Sequence, residues 1–450
     1  MLTEPLPPKA LSVGQEALWM ENQKKSDEPW YNIPSALRLH GNVRVKELEK
    51  AVQRVAHQYP GLTATYRLGK GGLARYDRNT VQPPFYVENV AGVSEDEVNR
   101  KVAEATRLPF NLNTTGPLRV HVFVHAPEDV TLLVTVHHIS SDFRSQSVLL
   151  QRIIDEYIGR QGILYPRPIE HDRYIAKENS LLSSARREEL ERFWSQELDG
   201  ADQAATIPLD VPRSESTGYL GAWLEETFPM PTWTELVRIA RAHNSTVFTV
   251  LSAAHSILVW KWSGAADFVV VTPLTRRVTQ ESQYLVGYLV NPIAIRSRIA
   301  PELSFGELLE RQRQTLLSAY RHGSYPFALL PSCVSLSRRD GQPILGQTAL
   351  NLEVCESDLP VADLWAAGDS TRTLRYDDLE IRARSTPHHA GTFDLTVKVI
   401  RSGASTRIIW IYDTALFHTS TIRTKAREYL GTLQQVAADP DVVVADLARA

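Results

Sequence analysis

Apolar residues recur along this chain with two different periods, and these periods predict a mixture of helices and strands. A helical period is clearest over residues 43–58, where an apolar stripe at 3-4-3 spacing is formed by Val45, Leu48, Val52 and Val55. Short, uncharged, β-branched runs, such as residues 132–136, instead predict buried strands.

The same two patterns place further elements. Helices are predicted over residues 13–22, 43–58, 145–157, 184–198, 247–262, 302–320 and 421–436. Strands are predicted over residues 35–39, 118–125, 131–137, 268–272, 292–299, 379–384, 395–400 and 406–412. Because strands and helices mix without a regular strand–helix–strand rhythm, the pattern favours an α+β fold.

A charged helix and a turn-rich linker divide the chain. The helix at 184–198 mixes acidic and basic residues, and Gly, Pro, Asp and Ser are frequent in the stretch after it. We therefore predict an N-terminal lobe over residues 1–178, a connecting helix and linker over 179–217, and a C-terminal lobe over 218–450. A length of 450 residues is sufficient for two such lobes.

Composition excludes several classes of function. The net charge is -3 and no long basic run occurs, so the chain lacks the electrostatic signature of a nucleic-acid-binding protein. No window holds 18 uninterrupted apolar residues, which argues against a membrane span. Two cysteines, Cys333 and Cys355, make no disulfide framework, and residues 1–10 resemble neither a secretory signal nor a transit peptide. We expect a cytoplasmic location.

Candidate chemistry is concentrated in the stretch His137-His138-Ile139-Ser140-Ser141-Asp142, which begins at the last residue of the predicted strand 131–137. Side chains alternate along a strand, so the two histidines should face opposite ways, one into a cavity and one into packing. A cavity-facing imidazole titrates near neutral pH and can handle a proton. Two core histidines with structural roles are the alternative. A metal site is disfavoured, since the rings diverge and no third ligand lies nearby.

Several further blocks occur in a fixed order, and together they resemble the condensation domain of nonribosomal peptide synthetases, in the chloramphenicol-acetyltransferase-like superfamily. The resemblance extends from Leu11 to about Val436. It rests on Leu11–Trp19, Tyr31–Pro34, Leu108–Leu112 with Gly116–Leu118, His137–Asp142, Trp262–Gly264, Arg277 with Glu281, Val286–Asn291, His322 with Tyr325–Phe327, Phe393–Leu395, and Tyr412–Asp413 with Leu416–Phe417.

The resemblance implies two chloramphenicol-acetyltransferase-like lobes that form a V-shaped pseudo-dimer with a central tunnel. It implies donor and acceptor carrier proteins as partners, whose phosphopantetheine arms deliver thioesters, with no bound cofactor, metal, nucleic acid or membrane. A monomer or a part of a larger synthetase is expected.

The resemblance also implies roles for individual residues. His138 corresponds to the catalytic histidine, which acts as a base or positions the nucleophile. His137 is expected to support the motif by packing and hydrogen bonding. Asp142 is expected to be structural and to pair with Arg277 across the lobe junction, because a buried carboxylate needs a partner; a role as a second acid–base group is the alternative. Asn291 is expected either to pack or to line the tunnel.

The chain departs from the family pattern at two positions. Phe143 stands where the family's HHxxxDG motif ends in glycine, so we expect its ring to narrow the tunnel or to fill a gap. Thr63 stands where the family often has arginine, which predicts a lost packing contact.

The function implied is condensation of a carrier-bound acyl or peptidyl thioester with an acceptor amine, in nonribosomal peptide or hybrid polyketide biosynthesis. The alternatives are ester formation with a hydroxyl nucleophile, an acyl-CoA-dependent acyltransferase, an epimerase-like relative, and an inactive domain that recruits carriers or other partners. Phe143 keeps the inactive alternative open.

Overall fold

The structure is a computed structural model that describes residues 7–24, 26–78, 81–160, 171–201, 207–215, 221–334, 345–355, 358–387, 393–403 and 405–449. The helices, α1 to α13 in chain order, are Val13–Lys24, Val45–Gln58, Glu95–Arg107, Phe143–Tyr157, His171–Leu182, Arg186–Leu198, Met230–Ala242, Val247–Ser263, Phe305–His322, Leu330–Cys333, Pro360–Ala367, Thr419–Ala438 and Val444–Arg449. The strands, β1 to β14, are Asn32–His40, Thr65–Gly69, Gly72–Tyr76, Phe85–Asn89, Leu118–Ala126, Asp129–His137, Gly221–Thr227, Asp267–Thr275, Val290–Arg298, Thr348–Cys355, Thr373–Tyr376, Leu379–Arg384, Leu395–Ser402 and Ser405–Asp413.

The chain divides into two compact units, and neither is one continuous segment. The first unit contains residues 1–181, 275–290 and 355–389, and the second contains residues 182–274, 291–354 and 390–450. The two short segments 275–290 and 355–389 therefore pack with the first unit, although they fall in the range 218–450 that the sequence assigns to the C-terminal lobe. Within the predicted linker, residues 202–206 and 216–220 lie outside the described part of the chain.

The first unit is built on a sheet with the strand order β11-β12-β1-β6-β5-β4. Neighbouring strands run antiparallel except β4 and β5, which are parallel. Strand β6 lies in the interior of this sheet and is buried from Val130 onward, as its apolar run predicts. At its end His137 pairs with Asn32 of β1, so the histidine motif starts from a fixed position.

The second unit has its own sheet, with the order β7-β14-β13-β10-β8-β9. Helix α8 is buried along most of its length and shares one apolar core with α7, α12 and the strands β13 and β14. Trp410 and Tyr429 are among the largest side chains fully enclosed there. Burial of large apolar surface is the main stabilising contribution to such a core.

Each unit thus combines an extended mixed sheet with packed helices, and the predicted α+β class is confirmed. Among the described residues, no helix is both long enough and apolar enough to cross a lipid bilayer.

Candidate active site

The histidine motif lies where β6 ends and the chain turns toward α4. His137 is the last residue of the strand, and His138 opens a 3₁₀ turn, His138–Ser140. His137 is 2% exposed, whereas His138 is half-buried. The two side chains therefore differ in burial, and because His138 has already left the strand, alternation along the strand does not by itself account for the difference.

His137 is held as a neutral structural residue. Its Nδ1 accepts a hydrogen bond from the backbone N–H of Ile139 at 3.1 Å, so the proton of the neutral ring is on Nε2. The rings of Tyr31 and Phe110 pack around it at centroid distances of 5.9 Å and 6.1 Å. Burial lowers the pKa of His137 to about 3, because the apolar surroundings disfavour the charged form.

His138 is held in the opposite tautomer. Its Nδ1 lies 2.6 Å from the carbonyl oxygen of Ser141. A carbonyl oxygen only accepts hydrogen bonds, so Nδ1 must carry the proton. In the neutral ring Nε2 then carries the lone pair, which makes Nε2 the basic atom of this side chain. Tyr288 lies edge-on to the ring at 5.3 Å, and the His138 backbone N–H donates to the carbonyl of Tyr31 at 2.8 Å.

Asp142 begins helix α4. One carboxylate oxygen accepts the backbone N–H of Ser145 at 2.7 Å, as expected of an aspartate at the N-terminal cap. The second oxygen accepts the N–H of Leu289 at 3.3 Å. The predicted helix start at this residue is confirmed.

The predicted pair of Asp142 and Arg277 is present, but both residues belong to the first compact unit, whereas the sequence predicts a pair across the lobe junction. Nη2 of Arg277 is 2.8 Å and 3.0 Å from the two carboxylate oxygens. Arg277 also donates to the carbonyls of Ser282 and Leu285 at 2.6 Å and 2.7 Å. Because both carboxylate oxygens are engaged and the side chain is buried, the geometry supports a structural role for Asp142.

Ser145 connects the same pair to the segment 285–289. Its hydroxyl donates to the carbonyl of Gly287 at 2.8 Å and accepts the Gly287 N–H at 3.1 Å. It also accepts from Arg277 at 2.8 Å. A side chain at Gly287 has no room, since its Cβ would lie 2.5 Å from the His171 ring. This network fixes the backbone on both sides of Tyr288, which contacts His138.

Phe143 is the first residue of α4, and its backbone is not in the left-handed region that would require glycine. Its ring lies 5.3 Å from that of Trp365 on α11, with an interplanar angle of 31°. Phe143 therefore substitutes for the family's glycine without backbone strain and adds an aromatic contact within the first unit.

Asn291 and Thr63 have local structural contacts. Asn291 belongs to the second unit, where its amide donates to the carbonyls of Gly323 and Tyr325 and accepts from the N–H of Phe327. Both amide hydrogens are thus used to hold the loop after α9, which supports the packing role. Thr63 is buried, and its hydroxyl donates to the carbonyl of Pro60 at 3.4 Å.

Two residues that contact the histidine turn, Gln15 and Tyr288, were not singled out from the sequence. Both lie inside blocks that carry the family resemblance, and membership of these blocks is the sequence signal that could have identified them. Among the described residues, no group of three or more His, Cys, Asp or Glu side chains is arranged to hold a metal ion.

Comparisons with known proteins point to one family. A family model described as the condensation domain matches residues 9–449. One polypeptide of the linear gramicidin synthase of Brevibacillus parabrevis is 27% identical over 444 residues, which cover 96% of this chain and 6% of that protein. Tyrocidine synthase 3 of the same organism is 26% identical over 445 residues, which cover 98% of this chain and 7% of that protein. The chain thus spans only a small part of the length of these curated relatives.

Solved structures show the same fold. A four-domain nonribosomal peptide synthetase, holo-AB3403 bound to AMP and glycine, has a TM-score of 0.90 and 20% identity over 98% of this chain and 34% of that chain. The X-domain from teicoplanin biosynthesis, solved in complex with OxyB, has a TM-score of 0.83 and 20% identity over 99% of this chain and 97% of that chain. With the family model matching nearly every residue, the chain belongs to the condensation domain family.

Proposed function

We propose that this chain joins a carrier-bound acyl or peptidyl thioester to an acceptor amine, and that His138 is its catalytic residue. The observation that carries the proposal is the 2.6 Å contact between Nδ1 of His138 and the carbonyl oxygen of Ser141. The Ser141 carbonyl binds the proton on Nδ1 and thereby leaves Nε2 as a hydrogen-bond acceptor. An imidazole nitrogen that carries its lone pair is suited to receive the N–H of an attacking amine.

The reaction consistent with this arrangement is nucleophilic acyl transfer. The amine nitrogen attacks the thioester carbonyl, a C–N bond forms and the C–S bond breaks. Nε2 accepts the amine N–H, which orients the nucleophile, and it takes the proton as the bond forms. The donor arm leaves as a thiol when its sulfur takes the proton that Nε2 received, which returns His138 to its neutral form.

The proposal assigns supporting roles to the neighbours of His138. Asp142 and Arg277 fix the start of α4, and neutral His137 fills the space behind the turn. The partners are donor and acceptor carrier proteins whose phosphopantetheine arms present the substrates. The similarity to gramicidin and tyrocidine synthases supports a context of peptide antibiotic biosynthesis. The free thiols of Cys333 and Cys355 support a cytoplasmic location.

The test is a single-turnover condensation assay with a loaded donor carrier and a loaded acceptor carrier, read by the mass of the acceptor. We expect His138→Ala to lower the rate about 100-fold to 10,000-fold, the range of general acid–base catalysis. His138→Asn is the sharper variant, because its amide can still donate to Ser141 but offers no atom at the position of Nε2. It should lose as much activity as His138→Ala.

Phe143→Gly restores the family residue and serves as the comparison. It should retain condensation, because Phe143 contacts Trp365 and is not part of the proposed chemistry. Equal rates in wild type, His138→Ala and Phe143→Gly would contradict the assignment of His138.

The same assay separates the other functions. An acceptor carrier bearing a hydroxyl in place of the amine reports ester formation, and acyl-CoA in place of the donor carrier reports a coenzyme A-dependent transferase. Exchange of the donor α-proton without bond formation would indicate an epimerase-like reaction. Carrier binding that persists in His138→Ala, with no turnover by wild type on any pair, would replace the proposal with a recruitment role.

A further inference from the structure

Helix α1 makes direct contact with the turn that carries His138. Gln15 on this helix is 1% exposed, and its Nε2 donates to the carbonyl oxygen of Ile139 at 2.9 Å. Ile139 directly follows His138 in the three-residue turn. A side chain 124 positions away in the sequence therefore holds the peptide group next to the proposed catalytic residue.

The orientation of the Gln15 amide is fixed from its other end. Its Oε1 accepts the backbone N–H of Ser12 at 3.2 Å, while the Ser12 hydroxyl accepts the N–H of Gln15 at 3.1 Å. This reciprocal pair has the geometry of a capping box at the start of a helix. A flipped amide would place its oxygen against the Ile139 carbonyl, so only one orientation satisfies both contacts.

The last residue of the turn, Ser140, is linked to the same helix through Tyr66. Ser140 donates its hydroxyl hydrogen to the carbonyl of Gly61 at 2.9 Å, and its hydroxyl also lies 2.5 Å from that of Tyr66. The carbonyl of Tyr66 accepts the indole N–H of Trp19 at 2.9 Å. Trp19 is four residues after Gln15 and thus shares its helix face.

The position of the His138 ring depends on this turn. Nδ1 is bonded to the carbonyl of Ser141, and the Ser141 N–H donates to the carbonyl of His138 at 3.3 Å. A rotation of the peptide after Ile139 would move Ser141 and release Nδ1. We propose that Gln15 is a positioning residue that fixes the tautomer and the direction of His138, an inference that rests on the proposed function of His138.

Gln15→Glu tests the hydrogen bond with one atom changed. A carboxylate cannot donate to the Ile139 carbonyl, whereas a protonated carboxyl group can. The ratio of Gln15→Glu activity to wild-type activity should therefore be highest at low pH and fall as pH rises. Taking the ratio removes the pH dependence that both proteins have in common. At the high-pH end we expect kcat to fall about 10-fold to 100-fold, the cost of a misplaced catalytic group, with KM changed less.

Gln23→Glu is the matched control. Gln23 lies on the same helix but is exposed, and its Oε1 accepts from Asn113 at 2.9 Å, a contact that a carboxylate can keep. Its activity ratio to wild type should stay near one at every pH. Thermal unfolding of each protein at each pH separates loss of fold from loss of rate.

Gln15→Met provides a second measurement that does not depend on titration. It fills the same space without a donor, so kcat should fall at all pH values. In nitrogen-15 NMR spectra, the His138 signals, assigned by their absence in His138→Ala, should shift from an Nδ1–H tautomer to a mixture.

The outcomes are distinguishable. The inference on Gln15 would be overturned if both Gln15 variants kept the wild-type kcat and the wild-type tautomer of His138. If His138→Ala were inactive in the same assay, the proposed function of His138 would still stand. Rate losses that merely follow the fraction unfolded would also overturn it. Full activity in His138→Ala would instead remove the proposed function on which the inference rests.

Discussion

Replacing Arg277 with Met is expected to destabilise the first compact unit by about 3 to 5 kcal/mol, the cost of breaking a buried ion pair from one side. The side chains of Arg277 and Asp142 are 2% and 3% exposed, so water cannot replace the lost partner. Among the described residues, the carboxylate would keep the backbone N–H donors of Ser145 and Leu289, which do not offset its desolvation.

Asp142→Asn in the Arg277→Met background isolates the charge. Asparagine can still cap α4 but carries no charge, so the double variant should recover about 1 to 3 kcal/mol of the loss. Recovery should be incomplete, because Arg277 also donates to the carbonyls of Ser282 and Leu285. These contacts are lost in both variants.

Hydrogen–deuterium exchange of α4 peptides over a urea series measures the local free energy of opening. A local measurement is used because a chain with two compact units need not unfold in a single step. Arg375→Met is the control, since Arg375 is 72% exposed and its pair with Glu380 should contribute less than about 1 kcal/mol. The reasoning would be refuted if Arg277→Met lowered the local free energy of opening by less than about 1 kcal/mol. It would also be refuted if the loss in the double variant equalled the sum of the losses in the two single variants.

Three further predictions concern the surroundings of His138. Burial lowers the pKa of His137 to about 3 in the folded protein. Below about pH 6.5 the unfolded chain binds a proton at this residue and the folded protein does not, so the free energy of unfolding should decrease by about 2 kcal/mol between pH 8 and pH 5. His137→Asn, which keeps an acceptor near the position of Nδ1, should remove that part of the acid dependence in urea unfolding; an unchanged pH profile would contradict this. A double-mutant cycle with Phe143→Leu and Trp365→Leu should give a coupling of about 0.5 to 1.5 kcal/mol, and zero coupling would show that the ring contact is not stabilising. Tyr288→Phe keeps the ring that packs against His138 at 5.3 Å and Tyr288→Ala removes it, so the single-turnover rate in the carrier assay should fall more in Tyr288→Ala; equal rates in the two variants would argue against this contact.

The parts of the fold that follow from local pattern were predictable. Strand β6 and helix α4 were placed within a few residues, because an uninterrupted apolar run and a 3.6-residue stripe are unambiguous signals. Strand β4 was missed, since it is an edge strand with a largely exposed burial pattern and hence no alternation to detect. Helix α3 was also missed, although Ser94 and the N–H of Glu97 form a regular helix start.

The site was predictable only in part, for a different reason. The family resemblance predicts that Asp142 pairs with Arg277, and the ion pair confirms the pairing but not its expected place across the lobe junction. The sequence places the segment containing Arg277 in the C-terminal lobe, whereas the structure groups it with the first unit, because a contact across 135 residues leaves no periodic trace. The bond from Gln15 to Ile139 and the contact of Tyr288 with His138 depend on three-dimensional packing in the same way.

The late segment 355–389 has a consequence for synthesis of the chain. Strand β12, which pairs with β1 along one edge, follows β1 by more than 300 residues. While the ribosome is still making the intervening sequence, that edge of β1 lacks its native partner, and open strand edges pair readily with other chains. Expression of residues 1–181 alone should therefore yield aggregates, whereas a nascent chain extended past Arg384 can close its own edge.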